Sequence, residues 1–231
     1  MTRRETARTA LTALFVTALV TAQLTAAKLL GFTLPFSLPV TGDAILLPGA
    51  ALAYALTFFA SDCYAELFGR RAAQRLVNVA FFMNLVVLAL VWSTIAAPAA
   101  RNSPVGAGEF AAVLGPSTAI VLGSVTAYLV SQNWDVLAFH RLRERTEGEH
   151  LWLRNLGSTA TSQLLDTVIF VGVAFVFLQG IPLGAALALI VGQYVFKLAV
   201  AVADTPFVYA AVALVGKGDG DPGPTERAVG E

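Results

Sequence analysis

The sequence is poor in charged residues. Only 13% of its 231 residues are Asp, Glu, Lys or Arg, which is about half the fraction usual in soluble domains. A mean hydropathy of +0.72 accompanies this deficit. Because so few charges cannot cover a water-facing surface, the composition excludes an ordinary soluble domain and predicts that lipid is part of the solvent. The formal net charge is zero and gives no indication of a nucleic-acid partner.

Residues that build metal and catalytic centres are also scarce. Cys63 is the only cysteine, which excludes an intrachain disulfide. The two histidines, His140 and His150, fall in a polar loop and are too few for a zinc site. The sequence contains no Gly-x-x-x-x-Gly-Lys-[Ser/Thr] phosphate loop, no Gly-x-Ser-x-Gly elbow and no His-Glu-x-x-His pair. We therefore expect no metal, no cofactor and no enzymatic activity.

Long apolar stretches fill most of the chain. Six are long enough to cross a membrane, at about 9–30, 46–68, 76–97, 113–139, 155–178 and 183–215. Pro48 suits the first turn of the second span, and Pro206 predicts a kink or break in the sixth. No cleavage site and soluble domain follow the first stretch, so we interpret it as a retained helix. The segment from Gly31 to Ala44 is interpreted as a loop.

The predicted fold class is an all-α, polytopic membrane bundle of about six helices. One transmembrane domain, 9–215, lies between an N-terminal tail, 1–8, and a disordered C-terminal tail, 216–231. Nearly all basic residues outside the spans fall in the tails and in the second and fourth loops, with Arg101 alone on the other side. The positive-inside rule then places both termini in the cytoplasm of a multi-pass cell-membrane protein.

Ionisable residues inside the spans are the first candidates for function, because a charge in the bilayer centre is costly. Asp166 lies about 12 residues into the fifth span and Lys197 about 14 residues into the sixth, so both are roughly 20 Å deep and could meet near the midplane. Lys28 ends the first span, and Asp62 lies at the inner end of the second. In the alternative interpretation, the Asp166–Lys197 pair only fixes helix register, Lys28 reaches the headgroups, and Asp62 reaches water.

The pattern Ser-Gln-x-x-Asp-x-x-x-Phe occurs twice, at 131–139 and 162–170. In each copy the serine, the amide and the carboxylate share a helix face. The sixth span adds Gln193 and Tyr194 ahead of Lys197, again on a shared face. So many hydrogen-bonding groups exceed what helix packing requires. The pattern predicts a central polar cavity, edged by aromatic residues, for a small, flat, polar ligand.

The same residues carry a resemblance to a known family. Asp62-x-x-x-Glu66-x-x-Gly69, Gln193-Tyr194-x-x-Lys197 and Thr205-Pro206-x-x-Tyr209, with the repeated segments, resemble the queuosine precursor transporters of the vitamin uptake transporter family. The resemblance covers nearly the whole chain except its two tails. One departure is visible, because the family's first span usually reads Asn-x-x-Ala-x-Lys, and this chain has Gln23-Leu-Thr-Ala26-Ala-Lys28.

The resemblance implies import of 7-deazaguanine bases, the precursors of queuosine and archaeosine. A carboxylate can accept the N–H donors of a guanine-like edge, and amides or a lysine can donate to its carbonyl oxygen. The predicted substrate contacts are Asp166, Gln163, Gln132, Asp135, Gln193, Lys197, Phe170, Tyr194, Trp134, Lys28 and Asp62. A midplane carboxylate such as Asp166 could also bind a proton and couple uptake to the proton gradient.

Two other functions remain open from the sequence. The chain could be a substrate-binding membrane subunit energised by a separate ATPase module, or an intramembrane enzyme that works with carboxylates alone. Its assembly is open as well. Small residues such as Gly115, Gly123 and Gly172 permit close helix contact either within one chain or in a homodimer.

Overall fold

The computed structural model describes residues 2–38, 41–145 and 151–216 of the chain. Its helices are α1 (Arg3–Thr25), α2 (Ala50–Phe68), α3 (Arg70–Ala96), α4 (Ala107–Leu114), α5 (Ser117–Arg145), α6 (Leu151–Phe170) and α7 (Leu183–Gly216). A π-helix, Val171–Phe177, continues α6, and two strands, β1 (Leu29–Leu38) and β2 (Gly42–Pro48), connect α1 to α2.

Within the described residues, five helical segments are long and apolar enough to cross a membrane, which confirms the predicted polytopic helical fold. They are Arg3–Thr25, Arg70–Ala96, Ala107–Trp134, Ala160–Phe177 and Leu183–Val215. The remaining long helix, α2, packs between α1 and α7 and ends in an acidic turn. The side of the membrane on which the termini lie stays a prediction.

α1 begins earlier than predicted because its N-terminus is capped. The Thr2 hydroxyl accepts from the Glu5 amide at 3.2 Å, and the Thr2 amide donates to the Glu5 carboxylate at 2.9 Å. This reciprocal capping box starts the helix at Arg3. The helix ends at Thr25, so the final residues of the predicted first span, 9–30, belong to other structure.

Neighbouring helices α1 and α2 run in opposite directions. The Arg4 guanidinium donates to the Leu67 carbonyl at 2.9 Å, and Arg8 Nε donates to the Tyr64 hydroxyl at 3.0 Å. The chain reverses again at Gly69. Its φ is 87°, a backbone conformation that glycine adopts at little cost in free energy. α1 and α3 therefore run in the same direction, and Phe15, Leu19 and Ala80 pack together in one core cluster.

The loop predicted from Gly31 to Ala44 is wrong for most of its length, because residues 31–38 and 42–44 belong to an antiparallel hairpin. Pairing runs from Leu29 opposite Pro48 to Thr33 opposite Ala44, and an irregularity follows before Leu38. Pro48 is consequently the last residue of β2 and not a first-turn residue of α2, which begins after Gly49. The predicted second span, 46–68, is correspondingly too long at its start.

The hairpin is held at one end of the bundle by close backbone contacts. A Cβ at Gly192 of α7 would overlap the Leu46 carbonyl oxygen, and a Cβ at Gly49 would overlap the Thr25 carbonyl oxygen. The Gly49 amide also donates to the Lys28 carbonyl at 2.6 Å. Glycine at these positions lets β2 lie directly on the helices, and we call this the hairpin end of the bundle.

Three further features of the helices differ from the predicted ones. The predicted fourth span, 113–139, is divided into α4 and α5, and the fifth continues past Phe170 as a π-helix. α7 continues through Pro206 without a break. The C-terminal tail predicted at 216–231 lies outside the described residues beyond Gly216.

Candidate functional site

A cavity of about 200 Å³ lies inside the bundle, between α1, α2, α3, α5, α6, α7 and the end of β2. It exceeds the roughly 150 Å³ cavity that accommodates benzene in a protein core. It is smaller than the 300–1,000 Å³ pockets of drug-sized ligands. The volume therefore suits a small molecule of one or two rings.

An ion pair lies in the wall of this cavity. Lys197 Nζ is 2.7 Å from Asp166 Oδ2, so the approach predicted from the depths of the two residues is present. The ammonium also donates to Thr167 Oγ1 at 3.1 Å, and the Ser131 hydroxyl donates to Asp166 Oδ1 at 3.4 Å. Thr167 is fixed in turn, because its hydroxyl donates to the Gln163 carbonyl at 2.8 Å. Side chains from α5, α6 and α7 thus hold one carboxylate.

The pair is not sealed from the cavity. The Asp166 side chain is 29% exposed and the Lys197 side chain 16%. Among the described residues, Lys197 has two hydrogen-bond acceptors for its three N–H groups, so one donor remains for a ligand. A carboxylate offers about four acceptor sites, so Asp166 also has acceptor capacity left. The site can therefore accept and donate hydrogen bonds at adjacent points.

Amides extend this polar surface. Gln132, Gln163 and Gln193 line the same cavity. Gln193 is only 7% exposed, and its Nε2 has no hydrogen-bond partner among the residues that the structure describes. A buried donor without a partner is costly, so Gln193 is ready to donate to a bound molecule. Phe170 supplies an apolar ring in the same wall.

Six of the predicted contacts therefore meet at one site, and four others lie elsewhere. Lys28 is exposed in the bend before β1, and Asp62 is exposed near the end of α2. The Trp134 indole is exposed and donates to Thr161 Oγ1 at 3.3 Å, and the Tyr194 hydroxyl donates to the Ala160 carbonyl at 3.4 Å. None of these four lines the cavity, and their part in substrate binding stays a prediction.

The two copies of the repeated pattern contribute unequally. Ser162, Gln163, Asp166 and Phe170 of the second copy all line the cavity, whereas the first copy contributes its serine and glutamine. α5 and α6 pack closely, and the Ser131–Asp166 contact aligns the start of the first copy with the middle of the second. Among the side chains of the first copy that the structure describes, only the serine and the glutamine line the cavity. Its acidic member, Asp135, lies in α5, and its side chain is outside what the structure describes.

Several lining residues were missed by the sequence analysis. Tyr54, Thr57 and Ser61 form a polar stripe of α2 that faces the cavity. Their spacing of three and four residues places them on one helix face, and this signal was available in the sequence. Two aromatic residues of the lining, Phe81 and Tyr128, were also not among the predicted contacts. Phe81 stacks on Tyr128 with ring centroids 4.4 Å apart, and both line the cavity.

No cluster of three or more His, Cys, Asp or Glu residues suited to a metal ion occurs within residues 2–38, 41–145 and 151–216. The chemistry that the described site offers is hydrogen bonding beside an ion pair, with aromatic rings on several sides.

Comparisons with known proteins identify the family of the chain. Residues 48–211 match the sequence model of a family described as "Putative vitamin uptake transporter". The chain is also similar to a Bacillus subtilis (strain 168) protein named "Probable queuosine precursor transporter", with 32% identity over 163 residues, which is 70% of each chain. No solved structure matches the chain. The matched region contains the cavity-lining parts of β2, α2, α3, α5, α6 and α7.

Proposed function

Because this chain belongs to the vitamin uptake transporter family, we propose that it imports a 7-deazaguanine-type base, a precursor of queuosine or archaeosine, across the cell membrane. The observation that carries the proposal is the cavity inside the bundle, where the Asp166–Lys197 ion pair has a donor and acceptor sites left for a ligand. A multi-pass transporter needs such a site between its helices, with access that can change from one side to the other.

The proposed recognition matches donors to acceptors. A guanine-like edge presents two neighbouring N–H donors and a carbonyl oxygen. The Asp166 carboxylate accepts the two N–H groups, since charged acceptors of this shape favour bidentate contacts. The third N–H of Lys197, or the unpartnered Nε2 of Gln193, donates to the carbonyl oxygen. Gln132 and Gln163 hydrogen-bond the remaining heteroatoms.

Aromatic side chains complete the proposed site. Phe170 lines the cavity on α6, four residues after Asp166. The stacked Phe81 and Tyr128 add aromatic lining from α3 and α5. Flat rings prefer offset-stacked or edge-to-face contacts with aromatic side chains. A planar bicyclic base therefore fits both the polar and the apolar parts of the cavity.

Uptake by the purified chain in liposomes tests the proposal. We expect accumulation of a radiolabelled 7-deazaguanine base. We expect little competition from 7-deazaadenine, because that base lacks the carbonyl acceptor and reverses the donor pattern. Loss of one hydrogen bond to a charged group costs about 1.5–3 kcal/mol, which is about a tenfold weaker affinity or more.

The isosteric variant Asp166→Asn should lose uptake, and Asp43→Asn, which changes an exposed residue of β2, should retain it. In cells unable to make 7-deazaguanines, the wild-type chain should restore tRNA modification when the base is supplied. Liposomes that take up no base, although the protein binds it, would point instead to a subunit that needs a separate ATPase module.

We also propose that uptake is coupled to protons through Asp166. A proton on this carboxylate would neutralise it and open its 2.7 Å ion pair with Lys197, so the site has two distinct charge states. An imposed pH gradient, with no other ion gradient, should then accelerate uptake. Uptake that is insensitive to the gradient, in liposomes where the chain is otherwise active, contradicts the coupling.

A further inference from the structure

Two amide side chains are fully buried without partners. Gln23 in α1 is 1% exposed and Asn84 in α3 is 0% exposed. In the part of the chain that the structure describes, neither the oxygen nor the nitrogen of either amide has a hydrogen-bond partner. Buried polar groups in native proteins are nearly always paired, so exceptions of this kind concentrate at functional sites.

The two amides lie close to the same core cluster. α1 and α3 run in the same direction, and Leu19 of α1 and Ala80 of α3 belong to one core cluster. Gln23 and Asn84 each follow their cluster member by four residues, which is about one helical turn on the same face. Both amides are therefore buried about one turn beyond a member of this cluster, and one of these members, Leu19, lines the cavity. That turn lies toward the hairpin end, where α1 finishes at Thr25.

The hydrogen-bonding groups of Gln23 and Asn84 indicate which kind of ligand the two amides can bind. Each primary amide offers two donors and an acceptor, and neither carries a charge. Together they are complementary to a neutral molecule with neighbouring N–H and C=O groups, which is also the pattern that the Asp166–Lys197 site accepts. An anion or a metal ion is a poor match for two uncharged amides.

We propose that Gln23 and Asn84 form a second polar station for the transported solute, located beside the main cavity. This inference rests on the proposed function, since it assigns the station to the same planar solute. Neither amide lines the cavity in the state described here. The station is therefore closed in this state and is used when α1 and α3 separate during transport. An apolar residue at either position would remove hydrogen-bonding groups that the solute uses during transport.

Isosteric apolar variants test the station. In Gln23→Met and Asn84→Leu the volume is nearly retained, and no described hydrogen bond is lost. We expect thermal unfolding midpoints equal to or above that of the wild-type chain. Equilibrium binding of the 7-deazaguanine base to purified protein should stay within about twofold, and liposome uptake should fall at least tenfold. Gln23→Asn keeps an amide and should retain at least half of the uptake.

Ser117→Ala is the matched control, because Ser117 is 4% exposed and its hydroxyl is likewise without a partner among the described residues. Its uptake should equal that of the wild type. Normal uptake by both apolar variants overturns the station. Failure of those variants to fold overturns it too, because it would reveal native partners for the amides. If the wild-type chain neither binds nor transports the base, the proposed substrate fails, and this outcome is distinct from normal uptake by the variants.

Discussion

A double-mutant cycle on Asp166 and Lys197 can separate the contribution of this ion pair to stability from its contribution to substrate binding. Removing one partner of a buried ion pair costs about 3–5 kcal/mol, because the other charge is left uncompensated. Here the side chains are 29% and 16% exposed toward the cavity, so water can solvate part of the remaining charge. We therefore expect Asp166→Asn and Lys197→Met each to lower the free energy of unfolding by about 2 kcal/mol. The double variant leaves no charge unpaired and should recover most of that loss.

Substrate binding should respond differently. If the carboxylate and the ammonium both contact the base, binding is lost in each single variant and stays lost in the double variant. Denaturant unfolding of the purified variants and equilibrium binding of a 7-deazaguanine base measure the two quantities on the same samples. Recovery of binding along with stability in the double variant would refute the reasoning. The pair would then be a structural device that fixes helix register, and the substrate would contact other groups.

Two more predictions concern glycine packing and the aromatic wall. Gly192→Ala should destabilise the protein by about 1–3 kcal/mol, because its Cβ would overlap the backbone of β2. Gly184→Ala in the same helix meets no atom within 4 Å and should leave unfolding unchanged or stabilise the protein by up to about 1 kcal/mol. Phe170→Leu should weaken base binding by about 0.5–1.5 kcal/mol, the usual contribution of an aromatic contact. Phe177→Leu alters a ring that is 82% exposed, so a comparable loss of binding there would contradict the assignment.

The sequence predicted the membrane bundle and its central charges for simple physical reasons. Apolar runs longer than the bilayer requires can hardly be anything but helices in this setting. Each residue of a helix advances by a fixed 1.5 Å, so the depths of Asp166 and Lys197 followed from their distances to the span ends. The observed ion pair at 2.7 Å agrees with that estimate. Depth along a helix is thus recoverable from sequence.

The neighbours that a side chain meets on its helix face were harder to predict. Trp134 follows Ser131 by three residues and shares its face within about 60°, yet Ser131 contacts Asp166 while the Trp134 indole bonds to Thr161. Which part of a face meets the cavity, and which part meets the neighbouring helix, is decided by packing angles that one sequence does not reveal. The stripe of α2 that begins with Tyr54 carries no charge, so the high cost of a charge in the bilayer does not mark it as functional.

The hairpin was missed for a different reason. Its strands contain Pro35, Pro48 and two glycines, residues that are depleted from strands, so local propensity favours a loop. Isolated two-stranded hairpins are only marginally stable in water. This one is stabilised by its contacts with the helices, above all the close approach of Leu46 to Gly192. These contacts join residues far apart in the sequence, and no local pattern encodes them.

The length of α7 has a consequence for where the bilayer ends. Its 34 residues make a rod of about 51 Å, whereas the hydrocarbon layer is about 30 Å thick. Even a tilt of 40°, the steepest usually observed, fits only about 39 Å of helix into that layer. If Leu183 marks one boundary of an upright helix, the other falls near Ala203. The exposed rings of Phe207 and Tyr209, one to two turns further on, then lie near headgroup depth, where aromatic side chains anchor a protein in its membrane, and the end of α7 extends beyond it.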